Sequence, residues 1–141
     1  MHTEHLQNVR AVWVLVGWLI AVAIASLAAL GFASVGLLGA EADGGTVWAT
    51  LAVLIGFFVG GLFTGMRAVE APILHGIAMG VLSIVAAFVL NLLAMLAFGS
   101  PPYATMTAAA ALTYLFAQIV AAVLGCWSGY VFARRGGDIE V

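Results

Sequence analysis

The chain has 141 residues, of which 65% are hydrophobic and only 7% are charged. Soluble globular domains carry about 25% charged residues, so a chain of this composition could not cover its own surface in water. The net charge of -2 and the lack of any basic stripe argue against a nucleic-acid partner. The composition therefore predicts an integral membrane protein that contacts the lipid bilayer.

Four apolar segments reach the roughly 20 residues that a helix needs to span a bilayer. In chain order they cover approximately residues 11–38, 47–66, 73–98 and 108–132. Glycine-, proline- and charge-containing turns separate them, and no segment alternates polar and apolar residues as membrane strands do. The sequence predicts an all-α integral membrane four-helix bundle that forms a single transmembrane domain over residues 1–141.

Arginine marks the cytoplasmic side of membrane proteins. Arg10 precedes the first segment, Arg67 follows the second, and Arg134 and Arg135 follow the fourth. With four crossings all of them fall on one side, so we expect a multi-pass protein of the cell inner (cytoplasmic) membrane with both termini cytoplasmic. A signal peptide with a small-residue cleavage site at residues 40–42 is the competing interpretation, but the preceding apolar stretch is too long for the 7–15 residues of a secretory core.

A five-residue pattern occurs twice, as GLFTG at residues 61–65 and as GCWSG at residues 125–129. Aligning the chain on itself at this offset places the second segment over the fourth and the first over the third. One interpretation is an internal repeat of two parallel helical hairpins in tandem, residues 1–68 and 69–135. Chance similarity between apolar helices is the alternative.

Small residues recur at spacings of three and four in every segment. Within a bilayer the hydrophobic effect does not drive helices together, so association depends on close backbone approach and dispersion contacts. We expect helix packing at glycines, some of which would also serve a homo-oligomer or a larger membrane protein complex. The predicted packing residues are Gly56, Gly60, Gly61, Gly65, Gly76, Gly80, Gly125 and Gly129.

Asn91 and Gln118 are the most polar side chains deep in the segments. A rise of about 1.5 Å per residue places them roughly 10 Å and roughly 15 Å from the same end of the bundle. An amide hydrogen bond between two helices is the favoured interpretation. A polar site on a permeation path is the alternative, although no intramembrane carboxylate or arginine accompanies these two amides.

His75 is a candidate ligand for a metal or a pigment, but it lacks a partner at ligand spacing, which favours a structural role. The single cysteine, Cys126, provides neither a disulfide nor a thiolate metal site. No constellation of nucleophile, base and acid is visible, and no phosphate-binding loop occurs. We therefore expect no catalytic residue, no metal site and no cofactor.

The run GGLFTGMRAVEAPILHGIAMGVL at residues 60–82 resembles a family of uncharacterised bacterial four-helix integral membrane proteins. The matching residues are Gly61, Gly65 and Arg67 in a G-x-x-x-G-x-R segment, and His75 with Gly76 in a following His-Gly. The resemblance implies four helices with cytoplasmic termini and no established activity.

These observations favour a non-enzymatic structural or accessory subunit that packs against itself or a larger complex. A small transporter or channel with a polar site at Asn91 and Gln118 is the alternative.

Overall fold

The computed structural model describes residues 9–38, 44–68, 71–99 and 108–137. Within these residues the chain forms four α-helices and no strand. The helices are α1 (Ala11–Ser34), α2 (Gly45–Arg67), α3 (Pro72–Phe98) and α4 (Ala108–Gly137). Each contains a stretch long and apolar enough to cross a membrane. The predicted all-α four-helix membrane fold is confirmed.

The backbone conformation of glycine and proline residues determines where the helices begin and end, and hydropathy alone does not report it. The first segment was expected to be helical to about residue 38, but α1 ends at Ser34 because Gly36 adopts a positive φ of 80°. There the Leu37 N–H donates to the Phe32 carbonyl at 2.9 Å and closes the last turn. Pro72 occupies the first turn of α3, as predicted, and Gly99 ends that helix with a φ of 71°.

The four helices form a ring in the order α1, α2, α4, α3. Helix α2 packs against α1 and α4, and α3 packs against α4 and α1. Arg10, Arg67 and Arg134 lie at one end of this ring, which we call the arginine end, and Phe98 lies at the other, the Phe98 end. The residues of α3 that are buried all lie between Pro72 and Ser83, so its packed core lies toward the arginine end.

Four glycines bring the backbones of α2 and α4 into direct contact. A Cβ atom added at any of them would lie closer than 3.0 Å to a carbonyl of the other helix. The contacts pair Gly61 with Ala122, Gly65 with Cys126, Gly125 with Phe58 and Gly129 with Leu62. These contacts are related by the 64-residue offset of the repeated pattern. Gly61 corresponds to Gly125 and Ala122 to Phe58, so the Gly61–Ala122 and Gly125–Phe58 contacts are the same contact with the two helices interchanged. The contacts of Gly65 and Gly129 are related in the same way, as in an isologous pair.

This exchange does not extend to the outer helices. In the α1–α2 contact the glycines belong to α2, where Gly56 and Gly60 pack against Ala21 of α1. In the α3–α4 contact the glycines belong to α3, where Gly76 and Gly80 pack against Val123 and Ile119 of α4. Hydrogen bonds join α1 directly to α3, so the two hairpins are not related by one rotation about the α2–α4 contact. The tandem repeat stays a prediction.

The close approach of α2 to α4 can be tested with two identical substitutions. Gly65→Ala places a methyl group against the Cys126 backbone, where nothing can yield, and should cost about 1–3 kcal/mol of unfolding free energy. Gly31→Ala, in α1 with no atom within 4 Å of its added Cβ, should be neutral or stabilising by up to about 1 kcal/mol. Unfolding by a denaturing detergent in micelles measures both, and equal effects would contradict the packing described.

Candidate functional site

The buried polar side chains lie together where α1, α2 and α3 meet near the arginine end. We call Trp18, Thr64, His75, Met79 and Ser83 the polar cluster. His75, Thr64 and Met79 are fully buried, and Ser83 is nearly so. These side chains come from three helices, because Trp18 lies in α1, Thr64 in α2 and the other three in α3.

Both ring nitrogens of His75 are hydrogen-bonded to backbone groups. Nε2 lies 3.1 Å from the Arg10 backbone nitrogen, and Nδ1 lies 2.9 Å from the Ala71 carbonyl oxygen. The Arg10 N–H can only donate and the Ala71 carbonyl can only accept, so Nδ1 carries the hydrogen and Nε2 accepts. His75 thus ties the start of α1 to the start of α3, where Ala71 has a positive φ of 48°.

This arrangement bears on the prediction that His75 is a candidate ligand. A metal or pigment would have to displace either the Arg10 N–H or the Ala71 carbonyl. Among the described residues no group of three histidine, cysteine or acidic side chains is placed to hold a metal ion. The geometry favours the structural interpretation of His75, and it places the ring inside the bundle.

Thr64 connects the three helices through one hydroxyl group. Its Oγ1 lies 2.9 Å from the Gly60 carbonyl within α2, 3.3 Å from the Trp13 carbonyl of α1 and 3.7 Å from Met79 Sδ of α3. A hydrogen bond from the hydroxyl to the carbonyl four residues earlier satisfies this polar group inside an apolar helix. The neighbouring Gly17 leaves the space that this hydroxyl occupies.

Trp18 and Ser83 form a second hydrogen bond between α1 and α3. Trp18 Nε1 donates to Ser83 Oγ at 3.0 Å, and Ser83 Oγ donates to the Met79 carbonyl at 3.2 Å. The two α1–α3 bonds join residues 65 apart in sequence, as expected for two parallel helices. Sequence reasoning missed this pair, although a tryptophan inside an apolar helix requires a hydrogen-bond acceptor when it is buried.

Asn91 and Gln118 are not joined in the structure. Asn91 Nδ2 donates to the Ala87 carbonyl of its own helix at 2.9 Å. Gln118 Oε1 is buried and has no hydrogen-bond partner among the residues that the structure describes. Gln118 lies on the face of α4 that continues through Ala122 and Gly125, which packs against α2 and not against α3. The predicted amide pairing is therefore not formed, because similar depth does not place two side chains on facing surfaces.

The arginine side chains remain at the bundle surface. Arg134 Nη1 donates to the Tyr130 hydroxyl at 2.9 Å, and its guanidinium lies 5.5 Å from the centre of that ring. The Arg67 guanidinium lies 5.9 Å from the Phe63 ring centre. These cation–π contacts hold the charges at the end of the bundle and outside the polar cluster.

No protein-family model, no curated protein and no solved structure matches this chain. The fold by itself defines the class, which is that of a multi-pass membrane protein with four helices.

The Trp18–Ser83 bond can be measured by a double-mutant cycle. The variants Trp18→Phe and Ser83→Ala should show a coupling free energy of about 0.6 kcal/mol or more, up to about 2 kcal/mol, in detergent unfolding. A control cycle combines Trp18→Phe with Ser26→Ala, an exposed serine of α1 about two turns away. The unfolding free-energy changes of the two control substitutions should be additive. If those of Trp18→Phe and Ser83→Ala are additive as well, the hydrogen bond contributes nothing to stability.

Proposed function

We propose that this protein is a non-enzymatic structural or accessory subunit that packs against itself or against a larger membrane complex. One observation carries the proposal: the three buried polar residues of the polar cluster, Thr64, His75 and Ser83, each bond to a backbone or a side chain within the bundle. Polar groups used in this way stabilise helix packing and leave no buried group free for chemistry in the polar cluster.

An apolar groove on the outside of the α2–α4 pair supports association with another helix. Its volume is about 350 Å³, and it lies where neither α1 nor α3 covers the pair. It is lined by Leu54, Ile55, Phe58, Val59, Val120, Ala121 and Leu124. A groove of this kind provides the dispersion contacts by which helices associate in lipid.

The four arginines support an orientation with both termini in the cytoplasm of a cell with an inner membrane. The resemblance of residues 60–82 to uncharacterised bacterial four-helix proteins is consistent with this orientation and supplies no activity.

Filling the α2–α4 groove should weaken association. Val120→Trp places a large ring in the groove, whereas Leu19→Trp makes a similar change on the exposed side of α1. In native mass spectrometry from gently solubilised membranes, we expect Val120→Trp to reduce oligomers or co-purified subunits at least tenfold, and Leu19→Trp to leave them unchanged. A strictly monomeric wild-type protein without co-purified subunits would refute the proposal.

A small transporter is the second candidate, and Gln118 supports it. Its buried Oε1 atom has no partner, and unsatisfied buried polar atoms are rare enough in proteins to need an explanation. A polar solute that reached Gln118 would satisfy this oxygen.

Ion flux separates the two candidates. Proteoliposomes loaded with dyes for H⁺, Na⁺ and K⁺ should show no flux above protein-free liposomes if the protein is an accessory subunit. A flux that Gln118→Leu abolishes and Phe116→Leu, at an exposed position of α4, preserves would favour the transporter.

A further inference from the structure

Arg10 and Arg67 occupy corresponding positions on the two sides of the α1–α2 contact. Gly17 of α1 and Gly60 of α2 lie against each other in this contact. Arg10 precedes Gly17 by seven residues, and Arg67 follows Gly60 by seven residues. Seven residues make about two helical turns, so each arginine lies on the face that carries the glycine of its own helix. Because α1 and α2 are antiparallel, both arginines also lie at the same level, toward the arginine end.

The two helices stay in contact almost up to the arginines. Thr64 Oγ1 of α2 lies 3.3 Å from the Trp13 carbonyl oxygen of α1, one turn before each arginine. The glycine contact also holds the two helix axes no farther apart than the usual 8–10 Å. Arg10 and Arg67 are both exposed, so their long side chains can reach one small anion between them.

Local contacts hold both arginines in place without using the N–H donors of their side chains. His75 Nε2 accepts a hydrogen bond from the Arg10 backbone N–H at 3.1 Å, which fixes the main chain where this side chain starts. The Arg67 guanidinium lies 5.9 Å from the centre of the Phe63 ring, and that ring packs against Trp13 of α1 with ring centres 6.2 Å apart. A cation–π contact uses the flat face of the guanidinium and leaves the N–H donors at its edge free.

Neither guanidinium has a counter-ion among the residues that the structure describes. All six acidic residues of the chain lie outside these residues. Arg134, by contrast, donates to the Tyr130 hydroxyl of its own helix. Two like charges at one level repel each other, and a single carboxylate such as that of Glu70, three residues after Arg67 in sequence, would neutralise only one of them. An anion bound between the two arginines would remove this repulsion.

The level of the two arginines decides which anion is available there. The apolar span of α1 begins at Ala11 and that of α2 ends at Arg67, so the pair lies where an apolar span meets the headgroup layer. The guanidinium fork matches the oxygen atoms of a phosphate group. Two positive charges also favour a lipid of net negative charge over phosphatidylcholine, whose ammonium group would add a third.

We infer that Arg10 and Arg67 together bind the phosphate group of an anionic phospholipid at the end of the α1–α2 contact. The bound headgroup links the start of α1 to the end of α2. This inference does not depend on the proposed function.

Native mass spectrometry of the full-length protein tests this inference. The protein is reconstituted in nanodiscs of equal parts phosphatidylglycerol and phosphatidylcholine and transferred to lipid-free mild detergent. The double variant Arg10→Gln with Arg67→Gln removes the pair, whereas Arg134→Gln with Arg135→Gln removes the same charge from the same end of the bundle. All four positions are exposed, so both variants should fold. We expect about one retained phosphatidylglycerol per chain in the wild type and in the Arg134/Arg135 variant, and at least tenfold less in the Arg10/Arg67 variant.

Thermal unfolding in detergent separates a lipid site from a site for free phosphate. A ligand that binds only the folded protein raises its Tm. Phosphatidylglycerol should raise the Tm of the wild type and of the Arg134/Arg135 variant, and leave that of the Arg10/Arg67 variant unchanged. Sodium phosphate at the same concentration should change none of the three.

Three results would overturn the inference. Equal retention of phosphatidylglycerol in all three proteins would show that the lipid binds elsewhere. An equal loss in both double variants would show general attraction to the arginine end. Sodium phosphate that raises the wild-type Tm as much as phosphatidylglycerol does would show a site for free phosphate and not for a lipid.

Discussion

The fold depends on the direct backbone contact between α2 and α4. Inside lipid the hydrophobic effect no longer favours one apolar surface over another, so helices associate through dispersion at close range. At Gly61, Gly65, Gly125 and Gly129 a carbonyl of the opposite helix occupies the space that a Cβ would need. This central pair fixes the positions of its neighbours, since α1 packs on the glycines of α2 and α3 receives side chains of α4.

The outer helices α1 and α3 are joined by hydrogen bonds toward the arginine end. The His75–Arg10 and Trp18–Ser83 bonds hold two parallel helices that share few other contacts. Beyond Ser83 no hydrogen bond links them among the residues that the structure describes, and Leu90 and Leu93 of α3 are more than half exposed. The described part of α3 is therefore packed toward the arginine end, and its far half exposes apolar side chains.

The sequence predicted the helices and the glycines that lie at helix contacts, because hydropathy and small-residue spacing are local properties. It could not predict which helix each face meets. Asn91 and Gln118 have similar depths, but helix rotation places them on different interfaces. The sequence also gives no sign of the partner of His75. That partner is the backbone N–H of Arg10, 65 residues away, and a backbone group is the same whatever the side chain. Pairings between helices depend on rotation and register, which one sequence does not reveal.

The central claim is that α2 and α4 touch through their backbones. The most direct measurement is a solid-state NMR distance between the Cα of Gly65 and the carbonyl carbon of Cys126, with selective isotope labels in lipid bilayers. The account predicts van der Waals contact, a separation of about 4 Å. A separation of about 6 Å or more, which corresponds to helix axes about 10 Å apart with side chains between them, would contradict it.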